Sequence, residues 1–105
     1  MKSNRTIATD ISNDVRKRVR ERDHDRCIFC RSTYNLQLAH IIPRSRGGRG
    51  VEKNLVTACA VCHHNMDFTQ ARRVMLKVAS DHVRRHHGIF DEEEVIYRKG
   101  KGYGI

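Results

Sequence analysis

The 105-residue sequence is poor in the residues that build a large apolar core. It contains no tryptophan, three tyrosines and three phenylalanines, and hydrophobic residues make up only 38% of it. A single domain of this length buries about two thirds of its unfolded surface. A core with so few apolar residues often needs additional stabilisation by a disulfide or a bound metal ion, here called a staple. We therefore expect one stapled domain over residues 1–105.

Long apolar runs are also missing. No run approaches the ~18–20 residues of a membrane-spanning helix, and residues 1–10 lack the apolar segment of a secretory signal. We therefore expect a cytoplasmic protein without a membrane partner. In that reducing compartment, the four cysteines favour metal binding over disulfides.

Acidic residues are scarce relative to basic ones. The 12 Asp and Glu are outnumbered by 21 Lys and Arg, which gives a net charge of +9 and a pI near 10.0. The excess is present in each third of the chain, so it does not come from one basic tail. A surface this basic indicates a polyanionic partner, most simply a nucleic acid.

The apolar periodicity and the turn residues predict short elements. In chain order these are a frayed segment at 1–9, a helix at about 12–22 capped by Ser12, strands at 36–42 and 54–58, a helix at about 63–87, a short strand at 95–97 and a Gly/Lys tail at 98–105. The long helix is expected to bury one stripe of side chains at 3.6-residue spacing, formed by Ala71, Val74, Met75, Val78 and His82. We interpret His82, His86 and His87 as ordinary helix residues, and the acidic run at 91–94 as a solvated face.

Two Cys-x-x-Cys pairs, Cys27/Cys30 and Cys59/Cys62, use every cysteine in the chain. Each pair places two thiolates on one tight turn, and Zn²⁺ takes four such ligands in a tetrahedron with Zn–S bonds of about 2.3 Å. The spacing predicts a structural zinc site that joins the N-terminal segment to the start of the long helix. The alternatives are a set of buried thiols or a redox dithiol, which would explain one pair but not two.

Three polar residues lie at the ends of the predicted strands and beside the second cysteine pair. His40 ends the first predicted strand, Asn54 opens the second, and His63 directly follows the last cysteine. With the cysteine pairs, this pattern resembles the HNH endonuclease family over residues 27–67. The stretches that carry the resemblance are Ala39–Pro43, Gly47-Gly48, Asn54-Leu55 and Cys59–His63.

The resemblance implies a fold and a setting. HNH endonucleases are metal-dependent nucleases of restriction enzymes, phage proteins, homing endonucleases and colicin-type toxins. The implied fold is α+β: a small zinc-stapled ββα-metal domain with its core at 27–67, a flanking N-terminal helix at about 12–22 and a long C-terminal helix at about 63–87. The implied setting is a phage or restriction function in the cytoplasm of a bacterial or phage-infected cell.

The resemblance also implies roles for the three polar residues. His40 is the expected general base, His63 the expected ligand of a catalytic divalent metal, and Asn54 the residue that orients the hairpin loop behind His40 by hydrogen bonds. The chemistry is suitable, because a neutral imidazole with a pKa of about 6.5 can accept a proton from water at neutral pH. A divalent cation can polarise the phosphate and stabilise the leaving 3′ oxygen.

The sequence departs from the family at Ala39, where most members have an Asp or His that binds the catalytic metal. Asp67 is the best candidate for a replacement ligand, because it lies four residues after His63 and so on the same helix face. A carboxylate there favours Mg²⁺ or Mn²⁺ over zinc. His64 is the second candidate, although adjacent helical residues point about 100° apart.

Basic residues surround the predicted site. The expected DNA contacts are Arg44, Arg46, Arg49 and Lys53, with Arg16, Lys17 and Arg20 on the N-terminal helix as further cations. We find no base-reading helix of a known type and few aromatic residues for stacking on single strands. The sequence therefore predicts binding to DNA phosphates, with a steep salt dependence and little sequence specificity.

Taken together, these features predict a metal-dependent DNA endonuclease that nicks one strand, with structural Zn²⁺ and catalytic Mg²⁺ or Mn²⁺. The alternative is a non-catalytic, zinc-stapled nucleic-acid-binding module that lost a metal ligand at Ala39. A weaker alternative is an accessory subunit that takes its specificity from a partner. The sequence leaves open a dimer or a larger partner protein.

Overall fold

The computed structural model describes residues 3–89 and 91–98, which begin with two short helices. Helix α1 spans Asn4–Thr9, in the segment that was expected to fray, and helix α2 spans Asn13–Arg22, where the sequence predicted a helix at about 12–22. Both helices begin after a serine whose hydroxyl accepts a backbone N–H, with N···O distances of 3.1 Å at Ser3 and at Ser12. Tertiary contacts hold α1 in place, because the Gly50 N–H donates to the carbonyl of Ala8 at 3.0 Å.

A two-stranded antiparallel sheet follows. Strand β1 spans Leu36–His40 and strand β2 spans Leu55–Cys59, with His40 opposite Leu55 at one end. The first strand ends at His40, before the Ile42 that the sequence suggested. The connection contains two 3₁₀ turns, Arg44–Arg46 and Glu52–Asn54. This hairpin places His40 and Asn54 at the same end of the sheet.

Two helices replace the single helix that the sequence predicted over 63–87. Helix α3 spans Ala60–Phe68 and helix α4 spans Arg72–His87. The break is at Thr69, which is extended (φ −123°, ψ 173°) and whose hydroxyl donates to the Asn65 carbonyl and accepts the Ala71 N–H. These local side-chain hydrogen bonds compete with the helical pattern, so the chain turns there.

Only part of the predicted apolar stripe is buried on α4, where Met75 packs against the main core. Val74 is 67% exposed and Val78 is 40% exposed, whereas Ala79 and Val83 are fully buried. The buried face of α4 is thus centred one residue further along the chain than the predicted stripe.

The last described segment also differs from the prediction. Residues Glu92–Val95 form the short helix α5, where we expected the next residues to add a strand, and Ile96 forms only an isolated antiparallel bridge with Gly48. The predicted tail lies outside the described residues except for Arg98. Val95 is fully buried, so α5 packs onto the body of the protein.

The sheet lies between two groups of helices. On one face, Ala39 and Val56 join Met66 of α3 and Val83 of α4 in the main core. On the other face, Leu38 and Leu55 pack against Val19 of α2 in a smaller core. The fold is the predicted small α+β domain. Within residues 3–89 and 91–98, no helix is long and apolar enough to cross a membrane.

Candidate zinc site and active site

The two cysteine pairs meet in space. The Sγ atoms of Cys27, Cys30, Cys59 and Cys62 all lie within 4.8 Å of one another, and those of Cys30 and Cys59 are 3.6 Å apart. A tetrahedron with Zn–S bonds of 2.3 Å has its sulfur atoms about 3.8 Å apart. The donor set and its spacing therefore fit Zn²⁺.

The surroundings of the thiols also suit a cation. Burial acts to raise the pKa of Cys27, but the backbone N–H groups of Cys30, Cys59 and Phe29 outweigh it and hold that pKa at about 7. Burial raises the pKa of Cys62, and the neighbouring thiols add to the rise. Four sulfur atoms this close cannot all be thiolates unless a cation compensates their charge. The cluster is therefore a candidate metal site whose four-sulfur donor set suits zinc.

His40 is held by a residue from the N-terminal segment. Its Nε2 lies 3.0 Å from the carbonyl oxygen of Thr9. Because a carbonyl can only accept, Nε2 carries the proton and the lone pair of the neutral ring is on Nδ1. Burial lowers the pKa of His40, and the charge of Arg44 adds to this, while the bond to Thr9 acts in the opposite direction. The ring is therefore kept neutral near pH 7, as a general base requires.

Asn54 holds the loop behind His40. Its Oδ1 accepts the Ile42 N–H at 2.8 Å, and its Nδ2 donates to the carbonyls of Ile42 and Arg49 at 3.1 and 2.9 Å. Gly48 allows this close packing, because a Cβ there would collide with the Ile42 carbonyl oxygen. The fully buried amide thus ties the two ends of the loop together, in the position that the sequence assigned to it.

His63 and Asp67 form a second pair of polar groups, on helix α3. The Nδ1 of His63 lies 2.7 Å from Oε1 of Gln37, so Nδ1–H donates and the lone pair of the neutral ring is on Nε2. That Nε2 lies 3.4 Å from Oδ2 of Asp67. Two donor atoms at this distance can bind one cation, with the remaining positions left for water and phosphate. Without a cation, the same pair is an i,i+4 ion pair when the imidazole is protonated.

Two neighbours of this pair affect how it would bind a metal. Arg72 Nη1 lies 3.8 Å from Oδ1 of Asp67, so one carboxylate oxygen faces a positive charge. The ring of His64 packs on that of Phe68, with centroids 5.0 Å apart, and does not line the cavity described next. Of the two replacement ligands that the sequence offered, Asp67 is therefore the one beside His63.

A cavity of about 510 Å³ brings the groups together. His40, His63 and Asp67 all line it, as do Arg44 and Arg72. The cavity thus combines an imidazole of low pKa, a neighbouring imidazole and carboxylate, and two arginines. It offers a candidate base and a candidate cation site beside two arginines, which face the carboxylates of Asp10 and Asp67.

The side chain of Ala39 has no polar atom that could contribute to this cavity. It is fully buried and belongs to the core cluster with Val56 and Met66. Successive strand residues point to opposite faces, so Ala39 faces helix α3 while His40 faces the other side. The position where the family has a ligand is filled here by apolar packing.

The predicted DNA contacts are partly occupied by partners within the protein. Arg44 pairs with Asp10, Lys53 pairs with Glu94 at 2.6 Å, and the guanidinium of Arg49 lies over the ring of Tyr97 at 5.8 Å. Among the described residues, no ion pair engages Arg46, which is exposed. The acidic run that we interpreted as solvated therefore neutralises one of these cations.

Sequence reasoning missed several residues around the site. Gln37 lies two residues before Ala39 on β1 and so shares its face toward α3, a relation that the strand period could have shown. Thr9 reaches His40 from 31 residues away, and no sequence signal indicates that contact. Asp23 accepts hydrogen bonds from Arg22 and His82 in a buried cluster outside the cavity.

Comparisons with known proteins agree with this geometry. The family model described as HNH endonuclease matches residues 27–75. A solved structure described as the type IV phosphorothioation-dependent restriction endonuclease ScoMcrA matches 71% of this chain with a TM-score of 0.61 and 20% sequence identity, which shows a shared fold. The match covers 19% of that longer chain. None of the curated proteins matches this sequence. The match to the HNH endonuclease family model, over residues 27–75, contains both cysteine pairs and the His-Asn-His residues.

Proposed function

We propose that this protein is a divalent-metal-dependent endonuclease that hydrolyses phosphodiester bonds of DNA. The observation that carries the proposal is the shared cavity, which is lined by His40 and by His63 and Asp67, whose Nε2 and Oδ2 atoms lie 3.4 Å apart. The match to the HNH endonuclease family and the net charge of +9 support DNA as the substrate.

In this mechanism His40 acts as the general base. Its Nδ1 takes a proton from a water molecule, the water oxygen bonds to phosphorus, and the bond from phosphorus to the 3′ oxygen breaks. The leaving oxygen takes a proton from solvent, which yields a 5′-phosphate and a 3′-hydroxyl. The Thr9 carbonyl holds the ring, and Asn54 holds the loop that carries Arg44 toward the phosphate.

His63 and Asp67 are the residues that would hold Mg²⁺ or Mn²⁺. The Gln37 side chain keeps the Nε2 lone pair of His63 aimed at the cation position, as outer-shell partners of metal-binding histidines commonly do. When bound, the cation would act as a Lewis acid and stabilise the leaving 3′ oxygen.

The cleavage is proposed to be a nick with little sequence specificity. One cavity serves one strand at a time, so a double-strand break needs a second visit or a second copy. The cations near the cavity suit phosphates, which carry no sequence information.

The test is a supercoiled-plasmid assay with Mg²⁺ or Mn²⁺. Wild-type protein should give relaxed circles before linear DNA, and His40→Ala should slow nicking by about 10²–10⁴-fold. His63→Ala should also lose nicking activity. His64→Ala, at the neighbouring position, is the matched control and should nick at the wild-type rate. Equal nicking by His40→Ala and the wild type would refute the assigned base.

A metal-binding measurement tests the replacement ligand. Calorimetric titration with Mn²⁺ should show weaker binding to Asp67→Ala, while Asp81→Ala, which removes a carboxylate from an i,i+4 pair with Lys77 on α4, should leave binding unchanged. Equal affinities of both variants would reject Asp67 as a ligand.

The second candidate function is a zinc-stapled nucleic-acid-binding module without catalysis. Ala39 favours it, because its position offers no ligand atom, and so does the arginine beside Asp67. DNA binding without cleavage in any divalent metal would select this function over the nuclease.

A further inference from the structure

We propose that a second phosphate-binding surface lies at the far end of helix α4 and holds the DNA backbone about 20 Å from the candidate active site. It rests on the proposed DNA-binding function. The surface is a cavity of about 190 Å³ lined by Arg26, Arg31 and Arg85. These arginines come from the turn after α2, the first cysteine knuckle and the last turn of α4, and we call them the distal arginines.

The distal arginines are exposed, and their charges are not neutralised within the described residues. No ion pair engages them there, in contrast to Arg44 and Lys53 near the candidate active site. Positive charge at this end of the protein is therefore available to an external anion.

The carboxylates nearby are already occupied. Asp23 lines the same cavity, but its fully buried side chain accepts hydrogen bonds from Arg22, His82 and the Thr57 N–H. Asp25 pairs with Arg20 at 2.8 Å. The cavity therefore holds three guanidinium groups that pair with no carboxylate among the described residues, and guanidinium groups bind phosphate oxygens in a planar, bidentate manner.

Helix α4 sets the distance between the two cavities. Arg72 lines the candidate active-site cavity and Arg85 lines the distal one, and both are on α4. Thirteen residues at 1.5 Å per residue separate them by about 20 Å. At about 3.4 Å per base pair, this equals about six base pairs of duplex. A duplex of about 20 base pairs is therefore long enough to span the distance between the two ends of the helix.

Salt-dependent binding tests this surface. In a zinc-loaded His40→Ala background without Mg²⁺, we would measure affinity for a duplex of about 20 base pairs over a range of salt concentrations. Arg26→Gln/Arg85→Gln should weaken binding at 0.1 M salt by at least about tenfold. It should also reduce the slope of log K against log salt by about 2, since each phosphate contact contributes about 0.9.

Two controls make the result specific. Arg73→Gln/Lys77→Gln removes the same charge from the exposed face of α4, where neither side chain lines either cavity, and should change the slope by less than about 0.5. On a hairpin with a stem of about five base pairs, shorter than the 20 Å spacing, the Arg26→Gln/Arg85→Gln defect should largely disappear. Circular dichroism and zinc content should match the parent protein, because the substituted side chains are exposed.

Equal loss by both double variants would overturn the proposal, because the effect would then be one of net charge. An equal defect on the short hairpin would overturn the spacing, and an unchanged slope would overturn the contact itself. None of these readouts requires cleavage. A protein that binds in this way but never nicks DNA would refute the proposed nuclease function and leave the distal surface in place.

Discussion

Replacing Asp23 with Asn should strongly destabilise the fold, because its carboxylate joins three segments of the chain. The carboxylate accepts hydrogen bonds from Nε and Nη2 of Arg22 at 2.7 and 2.9 Å, from Nε2 of His82 at 2.7 Å and from the Thr57 N–H at 2.9 Å. It thereby joins the end of α2 to strand β2 and helix α4. Burial acts to raise the pKa of Asp23, but the bonds from His82 and Arg22 hold it well below its usual range.

The expected loss of unfolding free energy follows from the hydrogen bonds and the charge that an amide cannot supply at position 23. An Asn side chain has one acceptor oxygen in place of two and turns an NH₂ group toward donors. Arg22, whose side chain is only 8% exposed, loses its counter-charge. Removing one partner of a buried ion pair costs about 3–5 kcal/mol. This is a large part of the 5–15 kcal/mol that stabilises a typical domain.

Urea denaturation at pH 7 with saturating Zn²⁺, followed by circular dichroism, measures this loss. The contribution is fully present at pH 7, because a carboxyl group with a lowered pKa loses its stabilising effect only as the pH falls below about 4. Asp25→Asn is the matched control, since Asp25 is 68% exposed and forms one ion pair with Arg20, so it should cost less than about 1 kcal/mol. If the two variants differ by less than 1 kcal/mol, the reasoning is refuted.

Three further predictions concern the zinc site, the core and the candidate base. Removal of zinc by a strong chelator should unfold or aggregate the protein, because structural zinc contributes about 10–16 kcal/mol in small domains; an unchanged circular dichroism spectrum after verified removal would contradict this. Thr57→Val should raise the free energy of unfolding by about 1 kcal/mol in urea denaturation, because the buried Oγ1 has no hydrogen-bond partner among the described residues; a lower midpoint would count against it. The acid limb of kcat/KM for nicking should lie below pH 6.5, because burial lowers the pKa of His40 and a base with a lower pKa stays unprotonated to lower pH; a limb at or above 6.5 would exclude His40 in this state.

The sequence predicted the parts of the fold that depend on local chemistry. The cysteine spacing predicted the cluster, because two Cys-x-x-Cys turns leave little choice of partners. The alternation around Leu38 predicted strand β1, and Ser12 marked the start of α2. The i,i+4 spacing placed Asp67 beside His63, because helix α3 had already begun at Ala60.

The parts that failed depend on contacts between distant segments. Helix α1 is too short to be stable alone, and it forms where Ala8 bonds to Gly50 and Thr9 meets His40. The break at Thr69 was missed because β-branched residues occur within many helices, and only the side-chain hydrogen bonds at that position decide the outcome. The ion pairs of Arg44 and Lys53 likewise join residues more than 30 positions apart.

Ala39 changes how the candidate cation ligands are distributed over the fold. With a ligand on β1, one donor would come from the sheet and one from the helix. Here both donors, His63 and Asp67, come from helix α3, which begins directly after Cys59, whose Sγ accepts the N–H of Cys62 at 3.4 Å. The second cysteine knuckle therefore caps the helix that carries both donors. Loss of the structural zinc should displace them together, so the protein should lose Mn²⁺ binding when its zinc is removed even under conditions where the β1–β2 hairpin remains paired.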